Sequence, residues 1–189
     1  MKKTLMVVGI ALLGQTTMAN AATSSIKMPK DDLVHVLGWM EDACVGEKGP
    51  YKAIDEKHTA FINSFSGLNT EGYSSKVAPR SKWMSEYRNA IKDIKVETKG
   101  LEEESGEFAF YHVMFNKGVK YRGQPLTEYT FAHRVESSGS KHFLKFAPGA
   151  KVKTILPNFK TRKVMYWDEM EDMGASYDAK TNTIKCELY

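Results

Sequence analysis

The sequence predicts an α+β fold: N-terminal helices packed on a curved, cone-like antiparallel sheet, with extra strands at the C-terminal end. Three observations predict it. Apolar residues recur at helical spacing up to about residue 94 and at period two after it. The period-two runs are short and separated by turn residues, the pattern of antiparallel neighbours. The composition, 42% hydrophobic and 26% charged over 189 residues, is that of an ordinary globular chain of single-domain length.

Residues 1–22 read as a signal peptide. Lys2 and Lys3 precede an uncharged stretch, Thr4 to Gly14, rich in Leu, Val, Ile and Ala. Ala19-Asn20-Ala21 then gives the small-x-small cleavage pattern, placing the cut near Ala21-Ala22. The apolar run is well short of the ~20 residues that span a bilayer. No second such run follows, so no transmembrane segment is expected after cleavage. Residues 23–189 are read as a single α+β domain, periplasmic or secreted from a bacterium. Losing Lys2 and Lys3 takes Lys plus Arg from 27 to 25 against 23 Asp plus Glu, a net charge of +2. That balance argues against nucleic acid as a partner. An exported chain with two cysteines joins them, so Cys44 and Cys186 are expected to form a disulfide.

The elements follow in order. Residues 31–45 read as a helix, with Leu33, Val36, Leu37, Met40 and Cys44 on one face and Asp31 and Asp32 in the first turn. Gly46 and Gly49 close it. Pro50 opens a second helix, with Ile54, His58, Phe61, Ile62 and Phe65 on its apolar face and Gly67 as the stop. Ser81 caps a third, striped by Trp83, Tyr87, Ala90, Ile91 and Ile94. Strands are then expected at 93–99, 107–115, 127–136, 141–146, 150–156, 161–167 and 183–189. Turns lie at Asn116-Lys117-Gly118, 137–140 and Pro148-Gly149.

A helical hairpin, a third helix running straight into a strand (81–98), then long antiparallel strands through residue 146 resembles the SnoaL-like, nuclear-transport-factor-two-like superfamily. The resemblance lies in the order of elements over residues 31–146, not in a motif. It implies a cone-shaped sheet enclosing a pocket. It leaves function open, because that superfamily holds isomerases, hydrolases and plain binding modules.

No linear motif assigns catalytic residues. His35, His58, His112, His133 and His142 show no metal-binding spacing, so no metal and no cofactor are expected. Met170 and Met173 among Asp168, Glu169, Glu171 and Asp172 read as an exposed acidic turn rather than a copper site. Ser138-Gly139-Ser140-Lys141 matches Ser-x-x-Lys but lacks the companion elements of serine acylases. Trp39, Tyr111, His112, Tyr129 and His133 are the candidate pocket residues. Tyr111 and His112 are adjacent on one strand, so both face a pocket only across a bulge. Lys141, Lys145, Lys151, Lys153, Lys160, Arg162 and Lys163 form a basic run with no acid among them. The alternation Lys151-Val152-Lys153 predicts that these lysines share one sheet face, as an interaction patch or a guarded edge. The chain is thus expected to be an exported binding protein. Its partner is an unidentified protein, as for an inhibitor or immunity protein, or a small apolar ligand. The alternative is a small cofactor-free SnoaL-like enzyme using acid–base residues in a pocket.

Overall fold

The computed structural model describes residues 31–66, 76–101, 104–134, 139–166 and 168–188. The expected signal peptide, the stop at Gly67 and Ser138 lie outside them. Among the described residues two helices, α1 (Val34–Leu37) and α2 (Pro50–Ser66), precede nine strands. These are β1 (Ile91–Leu101), β2 (Glu104–Phe115), β3 (Lys120–Tyr121), β4 (Gln124–Arg134), β5 (Ser140–Phe146), β6 (Arg162–Tyr166), β7 (Glu169–Met173), β8 (Ser176–Asp178) and β9 (Thr183–Leu188). The main sheet runs β1-β2-β4-β5-β9-β8, with β3 paired to β4, and it is open, with β1 and β8 as its edges. All its pairings are antiparallel. The chain leaves the sheet after β5, forms β6 and β7 as a separate hairpin, and returns through β8 and β9. No helix among the described residues is long and apolar enough to cross a membrane.

Period two decides which side chains meet the helices. Ala109, Tyr111 and Val113 on β2, Tyr129 and Phe131 on β4, Leu144 on β5 and Ile184 and Cys186 on β9 are buried in the main core. Phe61 and Phe65 of α2 pack on Tyr129 and Tyr111 from above, and the Tyr111 hydroxyl donates to the Ser66 carbonyl. The α2 face foreseen from the sequence is the buried one.

Three local expectations are corrected. The helix expected over 31–45 is only the single turn α1, tightened into a 3₁₀ turn at Gly38–Glu41. Cys44, expected on a helix face, instead follows with φ of 63°, next to Ala43 at 53°. The third helix is replaced by a 3₁₀ turn at Arg80–Lys82 and looser turns up to Ile91. Trp83 is extended and breaks the helix, while Arg80 and Arg88 donate to the carbonyls of Arg88, Ile91, Ser81 and Trp83. Trp83, Tyr87 and Ile91 are still buried, so their four-residue spacing reports burial without helix. The strand expected at 150–156 is two 3₁₀ turns, Val152–Thr154 and Leu156–Asn158. Its buried residues, Val152 and Ile155, are three apart, the repeat of a 3₁₀ turn.

Candidate functional site

The Cys44–Cys186 disulfide forms, with Cα atoms 5.6 Å apart and a sequence separation of 142. That separation suits an ordinary bridge. Around it the early loop is clamped by arginines from far along the chain. Asp42 receives Arg162 Nε and Nη2, each at 3.2 Å. Buried Glu41 receives Arg122 Nε and, at 2.6 Å, Nη2, together with the Tyr121 hydroxyl at 2.8 Å. Asp32 accepts the backbone N–H groups of Val34, Arg122 and Gly123. Forked, charge-assisted contacts of this kind are what allow carboxylates to be buried.

Of the candidate pocket residues, Trp39, Tyr111, Tyr129 and His133 are buried in the core. His112 is not with them. Tyr111 pairs with Phe131 and His112 with Thr130 without any register shift, so His112 lies on the opposite face of the sheet. The bulge that would have brought both inside is absent from this pairing.

The inner face gathers two histidines that spacing alone did not single out. His58 Nε2 lies 2.6 Å from the Tyr129 hydroxyl, which lies 2.7 Å from His142 Nδ1. His142 Nε2 lies 3.1 Å from Ser140 Oγ. Trp39 packs against both imidazoles. Burial pushes the His58 pKa down to about 3 and lowers that of His142 well below its ordinary value, with the His58 charge adding to the latter. Burial also raises the Tyr129 phenol well above its usual range. All three groups are therefore neutral at pH 7. One orientation of protons satisfies them: Ser140 donates to His142, His142 to Tyr129, and Tyr129 to His58 Nε2. His58 Nδ1–H then faces Asp55 Oδ1 at 3.9 Å. The reverse orientation would aim a nitrogen lone pair at that carboxylate. The sequence signal was His58 itself, a polar residue in an otherwise apolar helical stripe, and His142 on a strand flanked by turns.

The outer face is charged where the inner one is neutral. His112 Nδ1 lies 2.8 Å from Glu128 Oε1, and its Nε2 lies 3.4 Å from Glu97 Oε1. The bond to Glu128 raises the His112 pKa against the opposing effect of burial. Phe108, Phe110 and Ala132 form a small apolar cluster beside it, with Lys99 over Phe110 and Arg134 and Lys141 over Phe108. A shallow hollow of about 320 Å³ opens on this face, lined by Glu128, Phe143, Lys145, Asp178, Lys185 and Glu187 among others. Its charges pair off: Lys185 with Asp178 at 3.3 Å and Lys145 with Glu128 at 3.8 Å.

The basic run does not form one patch. Lys141 is buried beside Glu187, Arg162 is spent on Asp42, and Lys163 pairs with Asp172 at 3.6 Å. Lys151 and Lys153 are exposed, but the 3₁₀ turn separates them around its axis rather than aligning them. Lys160 Nζ donates to the Pro157 carbonyl, and Lys145 stands on the outer sheet face.

The acidic stretch after Asp168 is a strand, not a turn. It pairs with β6 in a hairpin whose register sets Met165 opposite Met170. These are the exposed large hydrophobic side chains among the described residues, at 63% and 52%. Met173 lies on the other face, buried with Val164 against Ala43. The Met170 and Met173 sulfurs therefore do not converge, and no group of three or more His, Cys, Asp or Glu placed to hold a metal occurs among the described residues.

No family model, curated protein or solved structure matches this chain.

Proposed function

We propose that this chain is an exported bacterial interaction protein of the inhibitor or immunity type, which engages a protein partner through the β6–β7 hairpin. The observation that carries this reading is the cross-strand pair Met165 and Met170, left in solvent. Two large apolar side chains on one exposed ribbon are an interaction surface rather than scatter. Methionine adapts its shape to a partner and is enriched at interfaces. The base of the hairpin is fixed to the body by the Arg162–Asp42 fork and by Val164 and Met173 packed on Ala43, next to the disulfide. The ribbon is thus presented rigidly, which lowers the ordering cost of association. On the methionine face the neighbouring charges, Lys163 and Asp172, pair with each other at 3.6 Å, which favours a partner that meets the two thioethers with an apolar hollow.

The test is capture from the envelope of the source organism, followed by reconstitution with the purified partner. Met165→Glu with Met170→Glu should weaken the complex at least tenfold without changing the melting temperature. An equal affinity in a folded double variant would contradict the reading. The second reading is a cofactor-free acid–base enzyme, supported by the Ser140–His142–Tyr129–His58 chain. It predicts that small substrates shift the His58 and His142 resonances, whereas the interaction reading predicts that only hairpin resonances move when the partner is added.

A further inference from the structure

We propose that the cleft between α1, α2 and the β3–β4 turn binds a small amphipathic carboxylate, its apolar tail against Val34, Pro50 and Ile54 and its head on Arg122 and Tyr51. This is independent of the hairpin reading and uses a different part of the molecule.

The cleft has a volume of about 300 Å³ and is also lined by His35, Gly38 and Glu41. At roughly 30 Å³ per heavy atom, the share of a water molecule in liquid, it holds about ten such atoms. Apolar walls with a few polar groups at one end are the usual build of a small-ligand site. Gly38 shapes the tail end. A Cβ there would stand 3.2 Å from Val34 Cγ2 and 3.7 Å from Ile54 Cδ1, so a larger side chain at this position would wedge between the two walls.

The polar end is built around Arg122. Its φ is 49°, and that of Gly123 is 74°, so the two occupy a tight turn that ordinarily takes Asn-Gly. An arginine there is strained. Asp32 holds it in place by accepting both backbone N–H groups. What the arginine brings is a guanidinium at the cleft end. Glu41, 1% exposed, takes Nε and Nη2 and also the Tyr121 hydroxyl. Glu41 is thereby saturated and neutralised. Arg122 Nη1 is uncommitted among the described residues, and the side chain is 34% exposed. Tyr51 lines the same cleft as Arg122, and its hydroxyl has no acceptor among the described residues. A guanidinium edge and a hydroxyl beside an apolar trough match a carboxylate on a short tail. An ammonium would meet the guanidinium, and an alcohol would leave one donor unanswered.

The experiment uses the mature protein in ¹⁵N-resolved titrations with octanoate, octanol and octylamine. Two further probes share the chemistry, a tripeptide ending in leucine with a free C-terminal carboxylate and the same tripeptide amidated. Octanoate should shift Val34, His35, Gly38, Tyr51 and Arg122 resonances and bind at least tenfold more tightly than octanol or octylamine. The free tripeptide binding more tightly than octanoate, with the amide at least tenfold weaker, would identify a peptide C-terminus as the source. The reverse order would identify a free fatty acid. Gly38→Leu should abolish binding, and Tyr51→Phe should weaken it severalfold while leaving the melting temperature unchanged. Equal binding of octanoate and octanol, shifts that map elsewhere, or no saturable shift up to about 10 mM would overturn the proposal. Because the cleft these probes test does not include the hairpin, failure here leaves the partner-capture result standing, and the reverse holds.

Discussion

His112 and His142 stand on opposite faces of one sheet, and their surroundings push them in opposite directions. His112 is bracketed by Glu128 and Glu97 at the outer surface, so its charged form gains partners. His142, with His58, is enclosed by Trp39, Tyr129 and Phe131 and stays neutral. The residue type is the same and the strands are two places apart in the sheet. What differs is whether desolvation or a carboxylate dominates. The inner face is a packed wall held by a neutral hydrogen-bond chain, and the outer face is a screened ionic surface.

The largest expected effect falls on the inner face. Cys186 pairs with His142 in the β5–β9 ladder, so the disulfide closes its 142-residue separation against the buried chain. Replacing both cysteines by alanine should cost up to about 5 kcal/mol on chain-entropy grounds, read as a drop in the denaturation midpoint. A loss under about 1 kcal/mol would mean that the inner face holds without its tie.

Tyr129→Phe comes next. It leaves two buried imidazoles without their shared partner, at about 1–3 kcal/mol for each unsatisfied group. A neutral result would show that water reaches the inner face.

The pH dependence separates the faces. His58 and His142 bind a proton more readily unfolded than folded. Their contribution is present above the unfolded value near 6.5 and is lost as pH falls below it, by up to about 1.4 kcal/mol per pH unit for each. His112 runs the other way. Its folded pKa is raised, so its contribution is present below about 6.5 and is lost as pH rises through the folded value. Being partly exposed, it contributes only about 0.5–1 kcal/mol. Stability curves of wild type and His112→Ala should converge at high pH and separate at mildly acidic pH. The smallest effect belongs to Met165→Ser with Met170→Ser, within about 0.5 kcal/mol because neither side chain packs on the body.

Much of this fold was legible in the sequence, and the exceptions have physical causes. β1 and β4 show alternation in the sequence because one face turns to the helices and the other away from them, whereas β2 reads as a nearly continuous apolar run because Phe108 and Phe110 are also buried on the outer face, and the two-residue β3 was not foreseen. α2 shows its stripe for the same reason as β1 and β4. The segments misread as regular are fixed by side-chain contacts: Arg80 and Arg88 donate to carbonyls within residues 80–91, and Arg122 and Arg162, far along the chain, fork onto the Glu41 and Asp42 carboxylates. No local pattern encodes such partners. The Cys44–Cys186 bridge was legible from the count of two cysteines in a chain expected to be exported. The His58–Tyr129–His142 chain was not, since its members are brought together by sheet register and helix placement. β7 was missed because three acids in five residues mask a ribbon whose exposed methionine faces β6 rather than its own neighbour Met173.

The most direct test of the central claim is a proton-resolved NMR titration of the histidine ring resonances between about pH 8 and pH 5. The account predicts that His112 titrates above its ordinary value near 6.5, while His58 and His142 keep neutral-tautomer shifts until the protein unfolds. Reversible titration of His58 or His142 near 6.5 in the folded protein would contradict it, because water and protons would then have free access to the inner face.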